Sequence, residues 1–189
     1  MKKRCAWANS QEIFIPYHDQ EWGRPVHDDR LLFEMLNLEG AQAGLSWFVI
    51  LRKRQGYKRA FDNFDAKKIA KYNSKKVAAL LENDQIVRHK LKIVAVIENA
   101  KAFLAVQKEF GSFGKYVWSF VRGKPIFSPK KKELIPECMA LSKDLKKRGF
   151  RFVGNTTCYA FMQAVGLVND HASYCEIKPK TSGTSLRAR

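Results

Sequence analysis

Residues 87–110 restrict the fold more than any other segment, because their apolar side chains recur at the spacing of an α-helix. Leu91, Val94, Ile97 and Leu104 define the predicted apolar face of this long helix. We predict further helices after the capping residues Asp28 or Asp29, Ser46, Asp65 and Ser74, and over 116–121, 141–148 and 157–168. No long segment alternates polar and apolar residues as a strand does, so the sequence predicts an all-α fold.

The chain is long enough for one domain with its own core, since it has 189 residues, of which 46% are hydrophobic. We place this domain at residues 1–177. Residues 178–189 are polar and basic, with few large apolar side chains, and we expect a disordered tail there. Residues 124–136 contain three prolines and three consecutive lysines, which predicts a loop.

The charge of the chain favours a polyanionic partner. Thirty-five Lys and Arg residues against 18 Asp and Glu give a formal net charge of +17, and nucleic acid explains such an excess best. An anionic membrane surface is the second candidate, and a merely solvated basic surface is the third. No apolar run approaches the length of about 20 residues that a membrane-spanning helix needs. We expect a cytoplasmic protein whose four cysteines are buried thiols or metal ligands.

Two Cys/His pairs lie at opposite ends of the chain. His171 and Cys175 are four residues apart, so one helical turn would place both on one face. Cys5 and His18 form a second, more widely spaced pair. Together they could complete a tetrahedral site with two Cys and two His ligands, which is structural because it leaves no position for water. A chance HxxxC spacing is the alternative.

Aromatic residues and one carboxylate mark a candidate binding site near the N-terminus. Trp7, Phe14 and Tyr17 lie among polar residues without helical periodicity, and flat rings on irregular backbone suit stacking against bases. Packing in the core is the alternative for these rings. Glu39 ends an apolar helix, where the helix dipole disfavours a carboxylate. Either solvent or a ligand that donates hydrogen bonds should compensate it.

Several long segments resemble the DNA-3-methyladenine glycosylase I family, bacterial members of the helix-hairpin-helix DNA glycosylases. The resemblance extends from Cys5 to Cys175. The matching segments are CAW at 5–7, YHDQEWG at 17–23, LFEMLNLEGAQAGLSW at 32–47, LRKR at 51–54, IVRHKLKI at 86–93, YVWSFV at 116–121 and LKKRGFRFVGNTTCYAFMQAVGLVNDH at 145–171. This resemblance implies two helical lobes with a lesion pocket between them, and a structural zinc ion that joins the chain's ends.

The resemblance also assigns site residues. It implies that zinc binds to Cys5, His18, His171 and Cys175. It implies that the damaged base is bound by Trp7, Phe14, Tyr17, Trp22, Glu39 and Trp47. At position 14 the family often has tyrosine, so Phe14 keeps the ring and lacks the hydroxyl. The family's hairpin usually offers glycine N–H groups to a DNA phosphate. No glycine occurs between Gly56 and Gly111, and we expect a left-handed turn at Asn83 or Asp84 to form the hairpin instead.

The implied activity is hydrolytic excision of 3-methyladenine from double-stranded DNA by a monofunctional, monomeric enzyme of the bacterial cytoplasm. The base must be flipped out of the duplex, and Glu39 would then bind its amino edge, with a chemical role for Glu39 left open. Leu45 would act as a wedge in the gap, or would alternatively pack within the helix junction. We expect the DNA contacts at Gln42, Leu45, Arg88, Lys90, Lys146, Lys147 and Arg148.

Two other classes of function compete with the enzyme. A zinc-stabilised helical module could bind nucleic acid without chemistry, although such a binder has no need for a buried acid. A protein of the membrane surface fits less well, because the basic tail lacks an amphipathic helix rich in large apolar residues.

Overall fold

The computed structural model describes residues 2–128 and 134–177, and the predicted tail and the run of three lysines lie outside them. The described residues are mostly helical. The α-helices are α1 (Phe14–Gln20), α2 (Asp29–Gln42), α3 (Trp47–Ala60), α4 (Ala66–Ile69), α5 (Ser74–Glu82), α6 (Lys90–Phe110), α7 (Phe113–Ser119), α8 (Pro136–Lys147) and α9 (Asn155–Ala164), with 3₁₀ turns at Ala6–Asn9 and Asp62–Phe64. No helix in this described part is both long and apolar enough to cross a membrane.

Two very short strands are the exception to the predicted all-α fold. Strand β1 (Ile126–Phe127) pairs in parallel with β2 (Val168–Asn169). This pairing falls within a predicted loop and beyond the end of α9. The helix stops at Ala164 because Gly166 adopts a left-handed φ of +73°, and a Cβ there would clash with the backbone at Arg24 and Pro25.

Side-chain caps fix the starts of several helices, as the sequence predicts. Asp28 accepts a hydrogen bond from the N–H of Leu31 at the start of α2, and Ser46 accepts one from Val49 at the start of α3. Each cap pairs a backbone donor that lacks a partner within the helix. The cap of α5 is Asn73 rather than the predicted Ser74.

The buried face of α6 agrees with the predicted one only in part. Ile97 is buried and Val94 and Leu104 are half-buried, but Leu91 is 67% exposed. Ile93 is buried although it was not among the predicted residues, so the buried face is centred away from Leu91. Apolar periodicity identified the helix correctly but could not choose between two neighbouring apolar rows.

The N-terminal aromatic segment is helical, contrary to the prediction of irregular backbone. Phe14 and Tyr17 lie on the short helix α1, while Trp7 lies on the preceding 3₁₀ turn. Tertiary packing stabilises α1, since Tyr17 and His18 are buried and its N-terminus has no side-chain cap.

The predicted left-handed turn after α5 is absent. Asn83 has a φ of −80°, and Asp84 is not among the residues with positive φ. Left-handed backbone occurs instead between α8 and α9, at Gly149 (φ +91°) and Phe152 (φ +55°). Residues 148–154 therefore form a glycine-containing hairpin turn between two helices that pack on each other, and this turn has the left-handed backbone that we predicted after α5.

Candidate functional site

Aromatic rings and one carboxylate from distant parts of the chain surround a single cavity of about 250 Å³. The 3₁₀ turn at the N-terminus, α1, the end of α2 and the start of α3 each contribute side chains to it. The lining residues are Trp7, Tyr17, Trp22, Glu39, Gln42, Trp47, Ala160 and Gln163. Five of the six residues predicted to bind a base are thus brought together around one cavity.

Phe14 is the predicted base-binding residue that does not line this cavity. Its ring lies edge-on to Trp7, with 5.8 Å between ring centroids, and also contacts Phe48 at 6.3 Å. Phe14 therefore supports the ring of Trp7 from behind instead of facing the cavity.

Glu39 is a buried carboxylate without a partner. Its side chain lies in the last turn of α2, is only 6% exposed and lines the cavity. No hydrogen bond or ion pair reaches it from the described residues. Burial raises the pKa of Glu39 to about 8, since desolvation penalises the charged form. The cavity therefore contains an acceptor ready for a donor or a cation.

The hydroxyl of Tyr17 and the indole N–H of Trp47 are two further buried polar groups at this cavity. Burial, with the nearby Glu39 as a second cause, holds the pKa of Tyr17 well above its usual value, so its hydroxyl stays protonated. The indole N–H of Trp47 is buried and has no acceptor among the described residues. A ligand with both donors and acceptors would satisfy groups that the protein leaves unpaired.

The four residues predicted to bind a metal converge beneath this cavity. All are buried, and their ligand atoms lie within 4.8 Å of one another. The predicted helical turn at 171–175 is absent; a turn from the N–H of Cys175 to the carbonyl of Ala172 brings the C-terminal pair together instead. These residues could hold a metal ion, and two thiolates with two imidazoles are a ligand set that zinc prefers.

Each imidazole in this cluster has one nitrogen held by the protein and the other aimed at the sulfur atoms. His18 places Nδ1 2.9 Å from the carboxylate of Asp19, and Nε2 3.6 Å from Sγ of Cys175. His171 places Nε2 3.3 Å from the carbonyl of Trp22, and Nδ1 3.5 Å from the same Sγ. Hydrogen bonds from the outer ring nitrogen orient metal-binding histidines in this way, so the arrangement fits a metal ion with tetrahedral coordination.

The four-residue Cys/His cluster and the cavity share a wall. The ring of Trp22 lies 4.7 Å from that of His171 and stacks on His18 at 6.0 Å, while Trp7 contacts His18 at 5.3 Å. Gly23 fits against this wall, because a Cβ there would come within 2.8 Å of Nε2 of His171. The position of two cavity rings therefore depends on the position of the two imidazoles.

Ala160 and Gln163 line the cavity although the sequence did not single them out. Both lie on α9, three residues apart, and therefore on one helix face. The side-chain amide of Gln163 donates to the carboxylate of Asp170 at 2.9 Å, and the backbone carbonyl of Gln163 accepts from the N–H of Gly23 at 3.0 Å. An alanine carries no chemical signal, so its role follows only from the packing of α9 against α2.

The end of α2 and the loop that follows it carry two of the residues predicted to contact DNA, of which Leu45 is the predicted wedge. Gln42 lines the cavity, and Leu45 is 41% exposed. Gly44 has a left-handed φ of +72°, which a residue with a side chain rarely adopts. Leu45 is therefore exposed only three residues after Gln42, which lines the cavity.

The predicted phosphate-binding residues separate into two groups. Exposed side chains occur at Arg88, Lys90, Lys146 and Lys147. Arg148 instead bonds to Asp144 at 2.5 Å and to Glu109 at 2.6 Å, and stacks on Phe110 and Tyr116. These contacts use its donors, so the structure favours a structural role for Arg148 over the predicted phosphate contact.

The hairpin at 148–154 is clamped to the core. The buried Asn99 accepts a hydrogen bond from the N–H of Arg151 at 2.7 Å and donates to its carbonyl at 3.3 Å. Phe152 packs against Gly40, where a Cβ would meet it at 3.2 Å. No side chain of the described residues caps the N-terminus of α9, which leaves N–H groups available to an anion.

Comparisons with known proteins agree with this geometry. The family model described as methyladenine glycosylase matches residues 7–178. The DNA-3-methyladenine glycosylase of Haemophilus influenzae is 49% identical over 186 residues, which cover 94% of this chain and 99% of that protein. DNA-3-methyladenine glycosylase 1 of Escherichia coli is 47% identical and covers 92% of this chain and 95% of that protein.

Solved structures give the same result. The 3-methyladenine DNA glycosylase I of Staphylococcus aureus, solved to show how it recognises 3-methyladenine, has a TM-score of 0.90 at 36% identity, over 95% of this chain and 98% of that chain. A second crystal structure of a 3-methyladenine DNA glycosylase I has a TM-score of 0.88 at 49% identity, over 94% of this chain and all of that chain. The chain therefore belongs to the methyladenine glycosylase family.

Proposed function

We propose that this protein is a DNA glycosylase that flips 3-methyladenine out of alkylated duplex DNA and hydrolyses its glycosidic bond. The observation that carries the proposal is Glu39, a buried carboxylate without a partner in a cavity lined by aromatic rings. A binding module without chemistry would gain nothing from such a group, whereas a cationic base offers it both charge and amino-group donors.

The chemistry follows from the charge of the lesion. Methylation at N3 makes the adenine cationic, so the base leaves as a neutral molecule and needs little acid catalysis. The rings of Trp7, Tyr17 and Trp47 stack on the flipped base, most favourably while it is cationic. Glu39 accepts hydrogen bonds from its amino edge. Leu45 and Gln42 occupy the gap that the base leaves in the duplex.

Zinc is the metal that we assign to Cys5, His18, His171 and Cys175. A closed site with four protein ligands leaves no position for water, so the ion would supply stability and no chemistry. It would join the N-terminal and C-terminal segments of one domain of two helical lobes, and the enzyme would act as a monomer on double-stranded DNA.

A direct assay tests the proposed activity. Methylated duplex DNA is incubated with the protein, and free bases are separated and quantified. We expect the protein to release 3-methyladenine, and we expect no such release in controls without protein. Binding of the duplex without release of any base would favour the module without chemistry and contradict the proposal.

We expect catalysis to increase with pH up to about 8. Burial raises the pKa of Glu39 to about 8, so at lower pH the carboxyl is largely neutral and binds a cation poorly. The pH profile of kcat/KM reports this pKa, since that ratio refers to the free enzyme. A profile that is flat between pH 6 and 9 would contradict the role of the Glu39 charge.

We expect DNA affinity to depend steeply on salt and little on sequence. Neutralising about five phosphates gives a slope of roughly −4.5 for log K against log salt. Arg88, Lys90, Lys146, Lys147 and the N-terminus of α9 are the proposed phosphate contacts. Titration of an undamaged duplex at several salt concentrations measures the slope, and a flat dependence would remove nucleic acid as the partner.

A further inference from the structure

Lys92 is half-buried and contacts the end of another helix. Its ammonium group donates to the carbonyl of Ala41 at 2.8 Å and to the carbonyl of Ala43 at 2.6 Å. Burial lowers the pKa of Lys92, as expected for an ammonium group that has given up part of its hydration. Two of its three donors are thus committed to backbone.

These two carbonyls lie at the C-terminal end of α2, which has no basic residue in its own last turn. The last carbonyls of a helix have no partner within it and carry the negative end of its dipole. Lys92 supplies the missing charge and hydrogen bonds from α6, about fifty positions further along the chain.

The same contact holds the loop that carries the proposed wedge. Ala41 and Ala43 flank Gln42, and Gly44 and Leu45 follow at once. A Cβ at Gly44 would meet no atom of the described residues within 4 Å, and the N–H of Leu45 donates to the carbonyl of Gln42 at 2.6 Å. Among the described residues, Lys92 is the side chain whose hydrogen bonds tie this stretch of backbone to another helix.

We propose that Lys92 is a positioning residue for the wedge loop, residues 41–46. Its ammonium group fixes the backbone on both sides of Gln42, so that Gln42 and Leu45 meet the duplex in one orientation. This inference rests on the proposed function for its consequence in catalysis. In this role the ammonium group of Lys92 binds the protein's own backbone and no DNA phosphate, whereas the nearby Arg88 and Lys90 remain candidates for phosphate contacts.

The test compares Lys92→Met with Lys92→Arg and Lys90→Met. Methionine keeps most of the length of the side chain without its charge, and arginine keeps the charge. Lys90, the exposed first residue of α6, lies two positions before Lys92 and provides the control. Hydrogen exchange of residues 41–46 measures the hold on the loop directly. We expect faster exchange there in Lys92→Met alone, with the rest of the fold unchanged.

Catalysis provides the second measurement. We expect Lys92→Met to slow single-turnover excision from duplex DNA about tenfold, while affinity for free 3-methyladenine stays within about threefold and Lys92→Arg recovers most of the rate. Adding Leu45→Ala to Lys92→Met should cost little more, since both changes act on one loop. Lys90→Met should instead reduce the salt slope by about 1.

Other outcomes would overturn the inference. A reduced salt slope in Lys92→Met would make Lys92 a phosphate contact, and loss of free-base binding would make it a general structural residue. Unchanged hydrogen exchange in the loop would refute the positioning itself, whether or not the enzyme is active. If the unmodified protein released no 3-methyladenine, the proposed function would fail, whereas the exchange experiment would still decide the role of Lys92.

Discussion

Disruption of the proposed zinc site by His171→Ala with Cys175→Ser is expected to lower the free energy of unfolding by more than about 4 kcal/mol. The four residues of the site include Cys5 and His171, which are 166 positions apart along the chain. A cross-link that closes a loop of about 100 residues contributes roughly 4–5 kcal/mol in the chain-entropy model, and the coordinate bonds add to this. Denaturant unfolding of both proteins measures the difference.

The same variant should also lose affinity for the free base. Trp7 and Trp22 line the cavity and rest directly on His18 and His171, so displacement of the imidazoles displaces the rings. Tryptophan fluorescence during titration with 3-methyladenine reports the binding constant. We expect at least a tenfold loss of affinity under conditions in which the variant is still folded.

Cys158→Ala is the matched control, because Cys158 is a buried thiol on α9 outside the cluster. Elemental analysis should find one zinc per chain in the unmodified protein and in this control. Less than half an equivalent of zinc in the unmodified protein would defeat the assignment, as would full occupancy in the double variant.

The sequence predicts those features whose signals are local. Caps such as Asp28 and Ser46 act on a backbone donor three residues away, so the residue type is enough to place a helix start. Residue type and spacing singled out the two Cys/His pairs, Glu39 and some of the aromatic rings as candidates, and the resemblance combined them into one ligand set and one binding site. Their convergence depends on packing that no spacing rule describes. The short helix α1 escaped prediction because tertiary burial, rather than periodicity, stabilises it.

Roles that depend on a distant partner could not be predicted. Lys92 and Arg148 are two of 35 basic residues. Nothing in the neighbourhood of Lys92 along the chain separates it from solvent-exposed lysines, and Asp144, four residues before Arg148, is the one local signal for that arginine. One meets the carbonyls that end α2, and the other meets Glu109 across 39 positions of sequence. The left-handed turn was misplaced for a related reason, since a positive φ at Phe152 is rare for that residue type.

Above about pH 8, where the carboxyl is ionised, Glu39→Gln should slow excision of 3-methyladenine about tenfold to more than a hundredfold. The glutamine keeps the shape of the side chain but removes its charge, and charge-assisted hydrogen bonds are worth on the order of 1.5–3 kcal/mol. Binding to undamaged duplex should change little, because Glu39 lies in the cavity. Single-turnover excision, measured beside binding to an unmodified duplex, separates the two effects. Unchanged excision with weaker duplex binding would show that Glu39 is structural.

The same substitution should stabilise the protein, and the gain should depend on pH. Burial raises the pKa of Glu39 from its ordinary value of 4.5 to about 8, so the folded state retains a proton that the unfolded state releases. The stabilisation that this group contributes is therefore complete below about pH 4.5 and falls as the pH increases towards 8.

Glutamine does not titrate, so its contribution does not change with pH. We expect the free energy of unfolding of Glu39→Gln to be larger than that of the unmodified protein by about 1–3 kcal/mol at pH 8–9, after the cost of a buried amide is subtracted. The two proteins should converge near pH 4.5. Parallel stability curves between pH 5 and 9 would mean that the carboxylate has a partner in solution, and the cavity would then lack the unpaired acceptor on which recognition of a cationic base depends.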